Sequence, residues 1–359
     1  MRIQSSSFAF NLSRTILKPV WDGMKTVEFK KVLVTGGAGF IGSHVCERLL
    51  HEGCQVVSVD NFNDFYSPSI KRANIQSILT EPGCENFMSL TADIRNSFEM
   101  RQIFEEEKPD AVIHLAAMAG VRPSILDPRL YTEVNIGGTQ NILETCSELG
   151  IRHMLFASSS SIYGNNAKVP FAESDQADCP ISPYAVTKKA GELLCHTYAH
   201  LHQMAIYCLR FFTVYGPRQR PDLAIHQFAR RIMEDREIPF MGDGTTERDY
   251  TYIDDIVDGV MGALEANLLE EKKSYHVINL GGNQTISLTE MVSTLEEALD
   301  KKAHIRMLPM QPGDVVRTCA DISKAQRLIG YAPSTSFRMG IGKFAAWLIA
   351  EGKEIRISA

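Results

Sequence analysis

Residues 31–42 read KVLVTGGAGFIG, a short apolar run that stops on a cluster of glycines. Val32, Leu33 and Val34 fit a buried parallel strand. Gly36, Gly39 and Gly42 follow at a G-x-x-G-x-x-G spacing, and residues 43–50 read as a helix with Val45, Leu49 and Leu50 toward the sheet. Each glycine then has its own physical role. One makes the tight turn, one lets backbone approach a pyrophosphate, and one lets helix and strand pack closely. The helix N-terminus presents free N–H groups and the positive end of its dipole to the phosphates.

A glycine spacing alone is a weak signal. Here a second apolar run, 56–59, ends in Asp60, at the distance of about twenty residues where a carboxylate meets a ribose diol. A carboxylate there disfavours a 2′-phosphate, so the expected cofactor is NAD rather than NADP. The bland alternative is an ordinary βαβ turn with an exposed Asp.

Working outward, a strand is expected at 87–90, followed by Asp93 and Ile94, a pair that either contacts adenine or caps the next helix. Residues 111–115 read as the fourth strand, and Ala116 and Ala117, which follow Leu115, are small enough for a dinucleotide to lie close. Gly120, Val121, Arg122 and Pro123 begin a loop at the same edge. Residues 131–146 read as one long amphipathic helix containing Asn135, Gly137 and Gly138, and 154–158 as the next strand. This alternation predicts an α/β fold, a Rossmann-type doubly wound parallel sheet.

From about Phe211 the elements shorten. Helices are expected at 225–233, 254–266, 288–299 and 337–351, with extended segments at 238–241 and 277–280. The mixture reads as a smaller α+β substrate-binding domain on the carboxyl edge of the sheet. The expected division is 24–212, mainly NAD-binding, and 213–359, mainly substrate-binding, with some chain crossing back. Residues 1–23 carry serines and basic residues and read as a disordered extension before Met24, with a targeting segment as the alternative.

The chain has 359 residues, 44% apolar and 22% charged, with net charge −6. No basic field for nucleic acid exists, so an anionic substrate must be held by local arginines and helix ends. No apolar run approaches the roughly 18 residues of a membrane helix. Eight cysteines are scattered without C-x-x-C or zinc spacing. They read as small buried thiols in a reducing, cytoplasmic compartment, and no metal is expected.

Tyr184 and Lys188 lie one turn apart on a helix that Ser182 and Pro183 begin. An ammonium beside a phenol stabilises the phenolate, lowers its pKa and makes it a usable base for a hydroxyl proton. That pair alone is common by chance. Ser158, Ser159, Ser160 and Ser161 end the preceding strand, at the edge where open α/β sheets bind ligands. The alternative is a polar strand end satisfying its own backbone.

Together these elements resemble the extended short-chain dehydrogenase/reductases and, within them, the nucleotide-sugar 4-epimerases. The resemblance runs from about Lys31 to Trp347. It includes HLAAMAGV at 114–121, SSSSIYG at 158–164, SPYAVTK at 182–188, RFFTVYGP at 210–217, RDYTYIDDI at 248–256 and PGDV at 312–315. It implies Tyr184 as the base for the substrate 4-OH, Ser159 as a hydrogen-bond partner of that hydroxyl, and Lys188 on the nicotinamide ribose. NAD would be held by Gly36, Gly39, Phe40, Ile41, Gly42 and Asp60, with Asp93, Ile94, Leu115, Ala116, Ala117 and Asn135 around it. Arg248 would grip the diphosphate and Asp314 the uridine ribose. Where many relatives have another arginine this chain has Gln311, and Arg220 is the candidate replacement. Relatives pair through two long helices, so a homodimer is implied.

Dehydratases and decarboxylases of the family usually carry an acidic residue just before the Tyr-Gly that corresponds to Tyr163-Gly164. Here Ser159 to Ile162 hold none. Thr213 and the RPDLA loop resemble the UDP-glucuronate 4-epimerases, and Ser160, Ser161, Thr213 and Arg122 are the candidate donors to a C6 carboxylate. The expected reaction is UDP-glucuronate to UDP-galacturonate. The competing readings are a UDP-glucose or UDP-N-acetylglucosamine 4-epimerase, a decarboxylase or dehydratase, and a non-catalytic NAD-sensing module.

Overall fold

The computed structural model describes residues 31–309 and 317–357. The expected extension at 1–23, Gln311, Asp314 and the PGDV stretch lie outside the described residues. The first half runs β1 (Lys31–Thr35), α1 (Phe40–His51), β2 (Gln55–Asp60), α2 (Pro68–Ile78), β3 (Phe87–Thr91), α3 (Ser97–Glu107) and β4 (Ala111–His114). It continues with α4 (Val121–Leu126), α5 (Pro128–Thr132), α6 (Thr139–Glu148), β5 (His153–Ser159), α7 (Pro183–His202) and β6 (Ala205–Phe211). The second half adds β7 (Thr213–Tyr215), α8 (Ala224–Met233), β8 (Ile238–Met241), β9 (Glu247–Arg248), β10 (Tyr250–Tyr252) and α9 (Ile253–Leu268). It ends with β11 (Ser274–Leu280), β12 (Ile286–Ser287), α10 (Leu288–Leu299), β13 (Ile305–Leu308), α11 (Ser323–Ile329) and α12 (Phe337–Ile357).

Seven parallel strands form the central sheet in the order β11-β6-β5-β4-β1-β2-β3. Val32 of β1 stands beside Val56 on one side and Ala111 on the other. Val32, Leu33 and Val34 are fully buried, because helices cover both faces of a parallel sheet. The strand order turns outward in both directions from β1 and β4, and the crevice for a ligand opens at their carboxyl ends. Three small pairs, β7 with β10, β8 with β13 and β9 with β12, build the cap over that edge. The chain crosses back: β11 pairs with β6 in register from Ser274 beside Ala205 to Leu280 beside Phe211, and α9 packs on β5, β6 and α1.

Four local expectations are corrected. Helix α1 starts at Phe40, not Ser43, because Gly39 already accepts the first helical bond from the Ser43 N–H at 3.0 Å. Residues 121–126 are a short helix rather than a loop; Gly120, at φ +105°, makes the turn into it. The expected helix 131–146 is two helices joined by a π-helical turn at Glu133–Gly138. That turn lies against Ile94, where a Cβ on Gly138 would come within 2.5 Å of the Ile94 side chain. Asp93 does not cap α3; the Asn96 side chain does, accepting from the Glu99 N–H. Among the described residues, no helix is long and apolar enough to cross a membrane.

Candidate active site

The glycine turn is built as its spacing implies. Gly36 sits at φ +73°, and a Cβ there would come within 2.8 Å of the Ala116 nitrogen. On Gly42 a Cβ would lie 2.1 Å from the Gly36 carbonyl oxygen, so α1 rests directly on the turn. Gly39 has only that same oxygen nearby, at 3.1 Å, which leaves its outer side open to a phosphate. Gly37, not singled out by the spacing, is a packing glycine: its Cβ would strike Ser58 Oγ at 2.3 Å.

Two clefts meet at this turn. One, about 680 Å³, is lined by Gly36, Asp60, Ile94, Leu115, Ala116 and Ala117. It also takes in Asn61, Asn63, Phe65, Tyr66 and Lys71, which no motif in the sequence singles out. The sequence signal for them is the run of amide and aromatic residues that follows Asp60 at once. Asp60 is 7% exposed, accepts from the Phe62 N–H at 2.9 Å and lies 3.7 Å from Lys71 Nζ. The glycine cradle and this carboxylate fit a dinucleotide: Gly36 and Gly42 admit no Cβ, and the open side of Gly39 lets a phosphate reach the backbone.

The second cleft, about 1130 Å³, is lined by Gly36, Phe40, Ile41 and Gly42, by Ser159, Ser160 and Ser161, by Tyr184 and Lys188, and by Thr213 and Arg220. Helix α7 delivers Tyr184 and Lys188. The Ser182 side chain caps it by accepting from the Ala185 N–H at 3.2 Å, and Pro183 occupies the first turn. Strand β5 delivers Ser159, whose Oγ also accepts from the Ser161 N–H at 3.2 Å.

The electrostatics differ from expectation in one respect. Burial pushes the Tyr184 phenol up from its ordinary value, while the Ser159 hydroxyl and the Arg220 guanidinium pull it down. Lys188 does not supply that pull. Its ammonium donates to the Ala157 carbonyl at 2.7 Å and lies 5.2 Å from the Phe156 ring centroid; burial lowers its pKa to about 8.

Arg220 faces both clefts, with its guanidinium forked onto Asp222 at 3.0 and 2.7 Å and stacked 5.3 Å from the Phe65 centroid. Arg248, on β9, is half-buried and donates to the Glu247 carbonyl at 2.9 Å.

Five described residues of the expected set, Gly39 and Arg248 among them, stand apart from the cleft linings. Asp93 binds the Arg95 side chain at 3.0 and 2.8 Å and accepts from Asn61 at 2.9 Å, which makes it a brace for the loop after β3. Asn135 is buried and ties the strand-end loop instead: it accepts from the Met118 N–H at 2.8 Å and donates to Met118 O and Thr187 Oγ1. Arg122 is exposed on α4. Ser158 borders the cleft, but its hydroxyl donates to Glu192 at 2.6 Å. Among the described residues, no group of His, Cys, Asp and Glu is arranged to hold a metal ion.

Residues 33–344 match the family model described as GDP-mannose 4,6 dehydratase. Over 316 residues the chain is 43% identical to a UDP-glucuronate 4-epimerase of Thermodesulfobacterium geofontis, spanning 88% of this chain and 95% of that one. It is 44% identical over 335 residues to UDP-glucuronate 4-epimerase 3 of Arabidopsis thaliana, spanning 89% and 76%. The Bacillus cereus UDP-glucuronic acid 4-epimerase, solved with UDP-glucuronic acid and NAD, superposes with a TM-score of 0.82 at 39% identity, covering 89% of this chain and 99% of that one.

Proposed function

Because the chain belongs to the extended short-chain dehydrogenase/reductase family, in the branch that the GDP-mannose 4,6 dehydratase model describes, we propose that it is a UDP-glucuronate 4-epimerase. It is an isomerase that inverts C4 of UDP-glucuronate to give UDP-galacturonate, with NAD as its cofactor. One observation carries the reading: a single cleft is lined at once by the glycine turn, by Tyr184 and Lys188, by Ser159 to Ser161 and by Thr213.

Residues 24–212 mainly hold the dinucleotide and 213–359 mainly hold the nucleotide sugar. Gly36, Gly39, Gly42 and Asp60 hold the dinucleotide, and Leu115 to Ala117 let it lie against the strand ends. Bound there, NAD would supply the hydride chemistry at C4. Tyr184 takes the 4-OH proton on its phenolic oxygen and gives it back after inversion. Ser159 hydrogen-bonds the same hydroxyl and favours the ionised phenol. Ser160, Ser161 and Thr213 donate to the C6 carboxylate. Arg248, Arg220 and Asp314 hold the diphosphate and ribose, so that the pyranose turns between fixed groups.

Product assays on UDP-glucuronate, UDP-glucose and UDP-N-acetylglucosamine test the substrate. UDP-glucuronate is expected to give the highest kcat/KM, by on the order of tenfold or more, because the half-buried donors Ser160, Ser161 and Thr213, left without the carboxylate, penalise a neutral sugar. A clear preference for either neutral sugar contradicts the assignment.

The reaction is assigned to the cytoplasm, supported by the buried thiols of Cys46, Cys146, Cys195 and Cys208. The active form is a homodimer paired through α7 and the helices beside it. Support comes from Val186 and Leu193, 48% and 58% exposed and two turns apart on α7, and from Leu126 at the end of α4, 87% exposed. Leu193→Lys is expected to shift the sedimenting species from dimer to monomer at micromolar concentration. A wild-type protein that already sediments as a monomer contradicts the dimer.

A further inference from the structure

Beneath the serines of the cleft lies a buried polar network that the reaction above does not use. Arg210, on β6, is 3% exposed. Its Nε and Nη2 donate to the two carboxylate oxygens of Glu192, each at 2.8 Å. Its Nη1 donates to the Tyr163 hydroxyl at 2.9 Å. Glu192 also accepts from the Ser158 hydroxyl at 2.6 Å, and Tyr163 donates onward to Asn279 on β11 at 2.7 Å.

The chain positions of these partners matter. Ser158 immediately precedes Ser159, and Tyr163 closes the 3-10 turn Ser160–Tyr163. One guanidinium therefore holds both ends of the segment that carries Ser159, Ser160 and Ser161, the near end through Glu192 and the far end directly. Glu192 itself sits one turn beyond Lys188 on α7, so the same pair ties strand, turn and helix together.

A buried ion pair is a poor device for stability, because desolvation offsets most of its attraction. What a two-point Arg–carboxylate fork does supply is fixed geometry. Arg210 and Tyr163 also keep their protonation states. Burial opposes the charge on Arg210, but its bonds to Glu192 and the Glu192 charge hold it above the ordinary range. Burial pushes the Tyr163 phenol up to about 12.

We propose that Arg210, acting through Glu192 and Tyr163, is the positioning residue that sets the three serines of the cleft against Tyr184 and the sugar. This rests on the epimerase reading and deepens it. The consequence runs through Ser159. Its hydroxyl draws the Tyr184 phenol toward ionisation, so a serine segment released at one end leaves the phenol ionising at higher pH. The titratable groups around Tyr184, namely Arg220, Tyr131 and Lys188, lie outside the network. Tyr163→Phe leaves the bonds of Arg210 to Glu192 on α7 untouched, so a change in Tyr184 ionisation in that variant reports the serine segment.

Tyr163→Phe removes the hydroxyl and keeps the ring against Phe171 and Phe212, at centroid distances of 4.9 and 6.4 Å. Ser158→Ala releases the other end and is the second variant. Each is expected to lower kcat for UDP-glucuronate by about tenfold and to move the rising limb of kcat against pH upward. Ionisation of Tyr184, read as phenolate absorbance against a Tyr184→Phe background, moves upward in parallel and needs no turnover. Loss of thermal stability with an unmoved phenol titration in both variants overturns the proposal and makes the network structural. Wild-type protein that fails to epimerise UDP-glucuronate instead overturns the functional reading, and the titration still decides the positioning role.

Discussion

Tyr184→Phe should lower kcat on the order of 10³-fold while the purified protein still carries NAD. The substitution deletes only the phenolic oxygen, the atom proposed to receive the 4-OH proton. The ring would remain packed edge-on to Tyr131, with centroids 6.3 Å apart, so the fold has no reason to move. Cofactor released by denaturation and measured by absorbance should match wild type, and KM should change little, since the missing interaction belongs to the transition state.

The pH dependence has a definite sign. Burial raises the Tyr184 pKa, so the protonated phenol dominates at low pH and kcat rises as pH increases toward ionisation. A Tyr184→Phe protein that keeps turnover within tenfold of wild type requires a different base.

Gly42→Ala carries the second large effect, on the cofactor side. The new methyl would stand 2.1 Å from the Gly36 carbonyl oxygen and 2.8 Å from the Gly37 Cα, both backbone atoms in the turn. No rotamer change relieves a clash with backbone. Either α1 lifts from the turn or the turn opens, at a cost of about 1–3 kcal/mol in stability. Both movements spoil the cradle. NAD affinity should fall by at least about tenfold, the equivalent of roughly 1.4 kcal/mol, measured by titration of protein stripped of cofactor. Gly137→Ala is the control, because nothing lies within 4 Å of a Cβ at that position. Equal NAD affinity in Gly42→Ala and wild type contradicts the assignment of this turn to the dinucleotide.

The parts of the molecule that a local pattern specifies are legible in the sequence. The run 32–34, the glycine spacing and Asp60 together define a strand, a turn and a second strand, and the sheet follows from repeating that unit. Tyr184 and Lys188 are legible as neighbours because four residues on a helix span one turn. What the pattern leaves open is where a long side chain finds its partner. The Lys188 ammonium is expected beside the phenol, yet the nearest strand offers it the Ala157 carbonyl, and burial makes that bond hard to forgo. The cation that acts on Tyr184 comes instead from Arg220, in a loop after β7 that no helical spacing connects to α7.

Asn135 differs from expectation for the same reason. An amide in a helix facing a ligand edge looks like a ligand contact. Here it lies in a π-helical turn and bonds the Met118 backbone, and Gly138 of the same turn packs against Ile94, 44 residues away in sequence. The buried fork of Arg210 on Glu192 is likewise invisible in sequence, since the two residues sit on different elements and each alone reads as an ordinary charged residue.

For C4 to be inverted, a phenol, a serine and a nicotinamide must meet at one sugar carbon. Proton NMR of UDP-glucuronate incubated with the wild-type protein in deuterated buffer tests that most directly. The predicted result is UDP-galacturonate that retains protium at C4, with the C6 carboxylate intact. Deuterium at C4, a pentose product from loss of carbon dioxide, or unchanged substrate would contradict it.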